Sequence, residues 1–285
     1  MSTRRLSPAQ RAAEALGQRL REIRTGANLT GRALAAVVDR HYTKVSRLEH
    51  GGKTPSEEEL RIWCRICDTE DQIPDLIATL QSIQSIYQEF RRQTHAGMKR
   101  LMQVHVPLYE RASLFRIYEH NVIPGLFQTA DYAAAMLSFW ISFLETPNDL
   151  EASVTARMER QRVIYQAGKR FSVLIEEQSL RTWFGAAEVQ AGQLDRLLTV
   201  MSLPTVSVGI IPMMIERPCV SSTGFWIFDD ELVCLETPTA NIEVTRPSEV
   251  KLYLRMFGHL ASVAVYGKAA RHIITSVAEE LPSAK

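Results

Sequence analysis

At 285 residues, with 46% hydrophobic and 23% charged side chains, the chain is long enough for roughly two domains and a sizeable core, and no long disordered span is expected. Its richest apolar run, residues 132–144, is shorter than the ~20 residues needed to cross a bilayer, and the basic N-terminus lacks the apolar segment of a signal peptide. Net charge is only +1, yet residues 1–55 hold eleven Lys and Arg against four Asp and Glu, so a head of +7 precedes a body of −6. That asymmetry suits a module that neutralises phosphates and releases their counterions. Cys64, Cys67, Cys219 and Cys234 are too few and too scattered for a secreted disulfide framework. A cytoplasmic protein with no membrane partner is the expectation.

In chain order, Ser7-Pro8-Ala9-Gln10 is a good helix opening, with a capping hydroxyl and Pro in the first turn. Leu16, Leu20 and Ile23 form one apolar stripe, Leu29, Ala33, Leu34 and Val37 a second, and Val45 with Leu48 a third. Three short amphipathic helices on one small core follow. A helix from Thr30 to about Val38, a brief break, and another from Tyr42 to about His50 have the spacing of a helix-turn-helix whose second member enters the major groove. The first turn of that helix offers Tyr42, Thr43 and Lys44, with Arg47 one turn on. Arg can bond two guanine acceptors at once, Thr can bond a base or touch the thymine methyl, and Lys serves guanine or phosphate. Isolated basic residues on a helix are ordinarily solvated; the surrounding pattern is what points to double-stranded DNA.

Residues 16–67 resemble the XRE, or phage-repressor-like, helix-turn-helix family. The resemblance rests on Leu20, Arg24, Leu29-Thr30, Leu34-Ala35 and the run Val45-Ser46-Arg47-Leu48-Glu49-His50-Gly51. It implies a structural pair between Arg24 and Glu49, base reading by Tyr42, Thr43 and Arg47, and backbone contacts by Thr30, Lys44, Arg40 and Lys53. Two positions depart from the family pattern. Asp39 stands where Gly is usual, and His41 replaces the Ser or Thr cap of the recognition helix, which implies a shifted or frayed start.

Ser56-Glu57-Glu58-Glu59 is a capping box that opens a fourth helix, packing Leu60, Trp63 and Cys64. Cys64-x-x-Cys67 has the spacing of a zinc or redox pair, but no second pair follows, so core packing is expected, with no metal and no cofactor. From Ile73 the residues Leu76, Ile77, Leu80, Ile83, Tyr87 and Phe90 keep a helical period, suited to a dimer seam or to packing on the chain's own body. The expected division is therefore a DNA-binding domain at 1–70, a linker helix at 71–103 with an elbow at Gly97, and a regulatory and dimerisation domain at 104–285.

In the body, residues 106–119 read as extended. Pro124-Gly125 marks a turn before an Ala-rich helix at 129–144, and Asn148 with Glu151 opens a helix to about Gln166. Strands are expected at 171–176 and 205–211, flanking a helix at 189–201, and paired strands at 225–228 and 232–235 around Asp229-Asp230. Val250, Tyr253, Leu254, Phe257, Leu260, Ala261 and Ala264 trace a helix face, with a short helix after Gly267. The fold class is α+β: an all-helical head, a long helix and a mixed α/β body.

The body resembles the C-terminal domain of a group of actinobacterial XRE regulators described as antitoxin-like and often encoded beside a small partner protein. The matching residues include Ile123–Thr129, Tyr132-Ala133, Arg157-Met158, Arg160-Gln161, Leu174, Glu176, Gln193-Leu194, Leu197-Leu198, Ile211-Pro212, Phe225 and Glu236, with a departure at Gly267-Lys268. No phosphate loop, nucleophile elbow or dinucleotide fingerprint is present, so no enzyme is expected. Arg157, Arg160 and Gln161 share a helix face that could grip a carboxylate effector or a partner's acidic segment, or pair with Glu176 or Glu236 as scaffold. Phe139, Trp140 and Phe143 suit either a pocket for an apolar effector or plain core. The expected function is a dimeric, sequence-specific transcriptional regulator reading an inverted repeat and answering a small partner protein or small-molecule effector. The alternatives are an antitoxin-like binder of a cognate partner and an enzyme localised to DNA by its head.

Overall fold

The apolar residues recurring from Leu16 become the inner faces of five helices: α1 (Pro8–Gly26), α2 (Gly31–Val37), α3 (Tyr42–Glu49), α4 (Glu57–Ile66) and α5 (Ile73–Ser85). The structure is a computed structural model and describes residues 8–38, 40–85, 97–221, 223–237 and 240–282. Leu16, Leu20, Ile23, Leu34, Val45, Leu48, Leu60 and Trp63 form one buried cluster, and the Trp63 indole N–H donates to the Leu20 carbonyl at 3.1 Å. At the start of α4 the Ser56 hydroxyl accepts from the Glu59 N–H while the Glu59 carboxylate accepts from the Ser56 N–H, so the capping box is complete.

Two expectations for this region change. Val37 is not core but 62% exposed, because α2 ends there after one buried turn at Leu34-Ala35. The stripe beginning at Ile73 serves the head: Leu76 and Leu80 are buried in the same cluster as Leu60 and Trp63. Cys64 and Cys67 are buried in it too, and burial pushes both thiols up, so they pack as small apolar groups. The proposed Ser7 cap, Asp39, and the outer part of the linker at Tyr87 and Phe90 lie outside the described residues.

The second compact unit carries most of a six-stranded sheet of order β3-β2-β1-β4-β5-β6, built from β1 (Leu114–Glu119), β2 (Arg170–Glu176), β3 (Val206–Ile211), β4 (Phe225–Phe228), β5 (Leu232–Thr237) and β6 (Ala240–Val244). β1, β2 and β3 run parallel, with Phe115 beside Phe171 and Phe171 beside Val206; β4 is antiparallel to both β1 and β5. Parallel neighbours need long crossovers, and helices supply them. α6 (Met98–Val104) and α7 (Val106–Arg111) precede β1; α8 (Ala130–Phe143) and α9 (Leu150–Arg160) join β1 to β2. The short α10 (Glu177–Arg181) and α11 (Ala187–Val200) join β2 to β3, and α12 (Pro247–Val263) and α13 (Gly267–Glu279) end the chain. Phe115, Ile117, Phe171, Val173, Ile175, Val208 and Ile210 lie on the buried face with Leu194, Leu197 and Ile274 of the covering helices. The whole is α+β, as expected. Among the described residues no helix is long and apolar enough to cross a membrane.

Residues 106–119 are only half extended. Pro107 fits a first helical turn, where its missing N–H costs nothing, and Tyr109 is buried from the resulting α7; the strand begins at Leu114. The Lys169 ammonium ends α7 by donating to the carbonyls of Tyr109, Glu110 and Ala112 at 2.9, 2.8 and 2.7 Å. The expected hairpin turns at Asp229-Asp230, both with positive φ, and the Asp229 carboxylate accepts from the N–H groups of Ser113 and Leu114 at the head of β1. The helix expected to run to Gln166 stops at Arg160 and continues as a tighter 3₁₀ turn over Gln161–Tyr165. The helix after Gly267 is thirteen residues rather than short, and α10 and β6 are additions.

One contact sets the geometry of the head. A Cβ placed on Gly17 would lie 2.5 Å from the Leu48 carbonyl oxygen and 2.7 Å from that of Glu49, so α1 and α3 touch backbone to side-chain-free backbone. Gly17→Ala would gain up to about 1 kcal/mol of helix propensity, but forcing the helices apart costs about 1–3 kcal/mol. The clash should win, and the midpoint of urea unfolding of the head should fall.

Candidate nucleic-acid interface

The recognition helix begins where the sequence places it, and His41 is the reason. His41 has extended backbone, and its Nδ1 accepts from the Thr43 N–H at 3.3 Å while lying 2.5 Å from the Thr43 hydroxyl. An imidazole thus replaces the usual Ser or Thr cap, and α3 starts at Tyr42 without the shift that the substitution implied. At the other end, Gly51, at φ 66°, turns the chain away from the helix, and its N–H is bonded to the Leu48 carbonyl. One helix earlier, the Thr30 hydroxyl caps α2 by accepting from the Ala33 N–H.

Arg24 and Glu49 hold this pair of helices in place. Arg24 Nε donates to Glu49 Oε1 at 2.5 Å, Nη2 donates to Oε2 at 2.9 Å, and Nη1 donates to the Leu29 carbonyl at 2.6 Å. The side chains are only 10% and 6% exposed. The bidentate bond to Glu49 raises the Arg24 pKa above its ordinary value in spite of burial. One guanidinium therefore ties α1, the turn after it and α3 together.

What remains outward is the face that carries the expected base-reading residues. Tyr42, Thr43 and Arg47 are exposed on α3, and Arg47 enters no ion pair among the described residues. Thr30, Arg40 and Lys53 are exposed at its margins. Lys44, expected as a backbone contact, is engaged in the free protein by Glu59, the residue that completes the α4 cap, and so links α3 to α4. Arg32 adds a cation that the sequence reading passed over, 6.0 Å from the centre of the Tyr42 ring. Only its place in the first turn of α2, near the start of α3, could have singled it out.

The body splits the remaining trio. Gln161 is buried and its amide donates to the carbonyls of Gly125 and Gln128, both at 2.8 Å, stapling the Pro124-Gly125 turn. Arg157 donates to Gln128 Oε1 at 2.7 Å, and Arg160 lies 4.9 Å from the Tyr109 ring centre. The pairing with Glu176 is not made, because Arg217 and the Tyr118 hydroxyl take that carboxylate. Trp140 lines a cavity with the two arginines, whereas Phe139 and Phe143 stack on each other in the open. Glu119, which no motif marks, accepts from the Trp226 indole N–H at 2.7 Å, and burial pushes its carboxyl up to about 8, with Glu236 adding to the rise. Among the described residues no group of three or more His, Cys, Asp or Glu could hold a metal ion.

Residues 103–276, more than half the chain, match the model of a domain of unknown function, DUF5753. The chain belongs to the DUF5753 family. In front of that domain, residues 15–78 match the model of a helix-turn-helix domain, the segment that contains α2, α3 and the Arg24–Glu49 pair. A search of curated proteins found no match to this chain. This DUF5753 protein is thus a DNA-binding regulator by its head, with the α+β fold class that its sequence implied.

Two outcomes follow from the site. Arg24→Ala leaves the buried Glu49 carboxylate without its counter-charge and should cost the head roughly 3 kcal/mol, whereas Arg24→Met with Glu49→Leu should cost far less; thermal melting distinguishes them. Glu119 is the reverse of a stabilising ion pair. Its folded pKa of about 8 exceeds the ordinary 4.5, so the stability it contributes is whole below about pH 4.5 and is lost as pH rises through 8. Glu119→Gln should flatten that decline in denaturant midpoint between pH 4.5 and 8.

Proposed function

We propose that the protein is a sequence-specific transcriptional regulator of the XRE, phage-repressor-like kind, which reads an inverted-repeat operator as a dimer through α3. Its body answers a small molecule or a partner protein, and it acts by binding rather than by turnover. The observation that carries this reading is the combination of an exposed Tyr42-Thr43-Arg47 face with a buried bidentate Arg24–Glu49 lock directly behind it. A rigid frame behind exposed base-reading groups is what discrimination between sequences requires. The +7 charge of residues 1–55 supports a duplex as the partner. Two such heads on a twofold axis would meet half-sites roughly 34 Å apart. The stacked pair Phe139 and Phe143, 51% and 58% exposed on α8, supports the body as the part that pairs.

Genome-wide mapping of bound DNA followed by titration of the recovered site tests the reading. Arg47→Ala should cost about 1–3 kcal/mol of preference over random duplex. Lys53→Ala should weaken cognate and random DNA alike and reduce the salt slope by about 1. Equal losses on both duplexes for Arg47→Ala, or no complex with any duplex at low salt, would overturn it.

A further inference from the structure

Within the second unit, α6, α7, α8 and α9 close against β1, β4 and β5 around a cavity of about 580 Å³. That volume falls inside the range of roughly 300–1,000 Å³ usual for small-molecule sites. Arg157 and Arg160 stand in one wall, three residues apart on the last turn of α9. Their remaining partners are weak or neutral. Arg157 donates to the Gln128 amide oxygen and, at 3.5 Å, to the Met102 sulfur, and Arg160 lies over the Tyr109 ring. The Nε atoms of both are buried with no hydrogen-bond partner. Neither arginine enters a salt bridge among the described residues. Burial and the neighbouring Arg160 lower the Arg157 pKa to about 10, with Glu236 and Tyr109 opposing the fall. A Cβ on Gly125 would stand 3.5 Å from Arg160 Nη2 and 3.9 Å from Arg157 Cζ, so the Pro124-Gly125 turn lies directly against both guanidiniums.

Two further features select a ligand class. The cavity's apolar surface includes Met98, Met102 and Met136 beside Trp140, and thioethers adapt to the shape of an aliphatic or aromatic body. Its charge is also limited. Glu119 is largely protonated at neutral pH, so the two guanidiniums face only the Glu236 carboxylate, leaving one positive charge in excess. A half-buried pair of arginines whose Nε donors have no partner suits the two oxygens of a carboxylate.

We propose that this cavity binds a small organic monoanion, a carboxylic acid with an apolar body, its carboxylate on Arg157 and Arg160 and its body against the methionines and Trp140. This rests on the reading of the body as the responsive half of a DNA-binding regulator, and it names what that half responds to. An acidic segment of a partner protein is the competing occupant of the same arginines.

Calorimetric titration of the full chain with decanoate and 2-naphthoate, each against its uncharged amide, tests it. At least one acid should bind at least tenfold more tightly than its amide, which is about 1.4 kcal/mol. Arg160→Gln should reduce the acid to the level of the amide, and Arg160→Lys should restore part of the difference. If Arg160→Gln fails to fold, the contrast between acid and amide on the native chain still decides. Absence of binding by both acids, equal binding of acid and amide, or unchanged binding by folded Arg160→Gln would each overturn the proposal. Binding of an Asp- and Glu-rich peptide with neither acid bound would also overturn it, by assigning the arginines to a protein partner. Duplex titration of the same preparation separates the two readings: a chain that binds DNA but no acid loses only this site, and a chain that binds acid but no DNA loses only the operator reading.

Discussion

The helix-turn-helix depends on one buried guanidinium. Three short helices cannot define a unique arrangement through apolar packing alone, because small aliphatic faces slide over one another at little cost. Arg24 removes that freedom by presenting three donors in fixed directions, two to Glu49 on α3 and one to the carbonyl of Leu29. Taking two charges out of water gains little net stability. The benefit is register: α3 has one depth and one rotation at which Glu49 meets both nitrogens. The exposed residues Tyr42, Thr43 and Arg47 inherit that definition, since they project from the opposite face of the same two helical turns.

In the body the same device appears with other chemistry. Lys169 is buried, yet its ammonium spends its donors on three carbonyls at the end of α7, fixing that helix to the start of β2. Asp229, at the end of the neighbouring β4, holds the amides of Ser113 and Leu114 where β1 begins. Gln161 and Gln193 clamp the carbonyls of the turn at Pro124–Gln128, with Gln193 donating to the Phe127 carbonyl at 2.9 Å. Each group removes a backbone end that packing would leave unsatisfied. Arg157 and Arg160 differ: their Nε donors stay unpartnered beside a cavity, as does His120 Nδ1.

Much of this was legible in the sequence, for identifiable reasons. Helical spacing located α2, α3 and α4 because their apolar faces are short and uninterrupted, and the run ending in Leu48-Glu49-His50-Gly51 carried the Arg24–Glu49 pair through family resemblance. Alternating apolar residues placed β2, β3 and the β4–β5 hairpin. The reading failed where a decisive partner is remote. Lys169 finds carbonyls almost sixty residues away, Arg217 rather than Arg157 reaches Glu176, and Glu119 acquires its character only from the burial that Trp226 and Gly224 permit. It failed again where one residue type serves two ends: an imidazole at position 41 looked like a lost cap and is a cap. The Lys44–Glu59 ion pair is invisible without knowing how α3 and α4 lie together.

Gly17 has a consequence for how such a head changes its target over generations. Because α3 rests on α1 with no intervening side chain, its axis cannot be re-aimed by gradual enlargement or trimming of a spacer. Change on this face is channelled instead into the outward groups, of which Arg47 is the freest, since Thr43 also meets the capping His41 and Tyr42 lies against Gly31 and Arg32 of α2. The scaffold is thereby frozen while its vocabulary stays open, and divergent descendants should differ in what they spell rather than in how they sit.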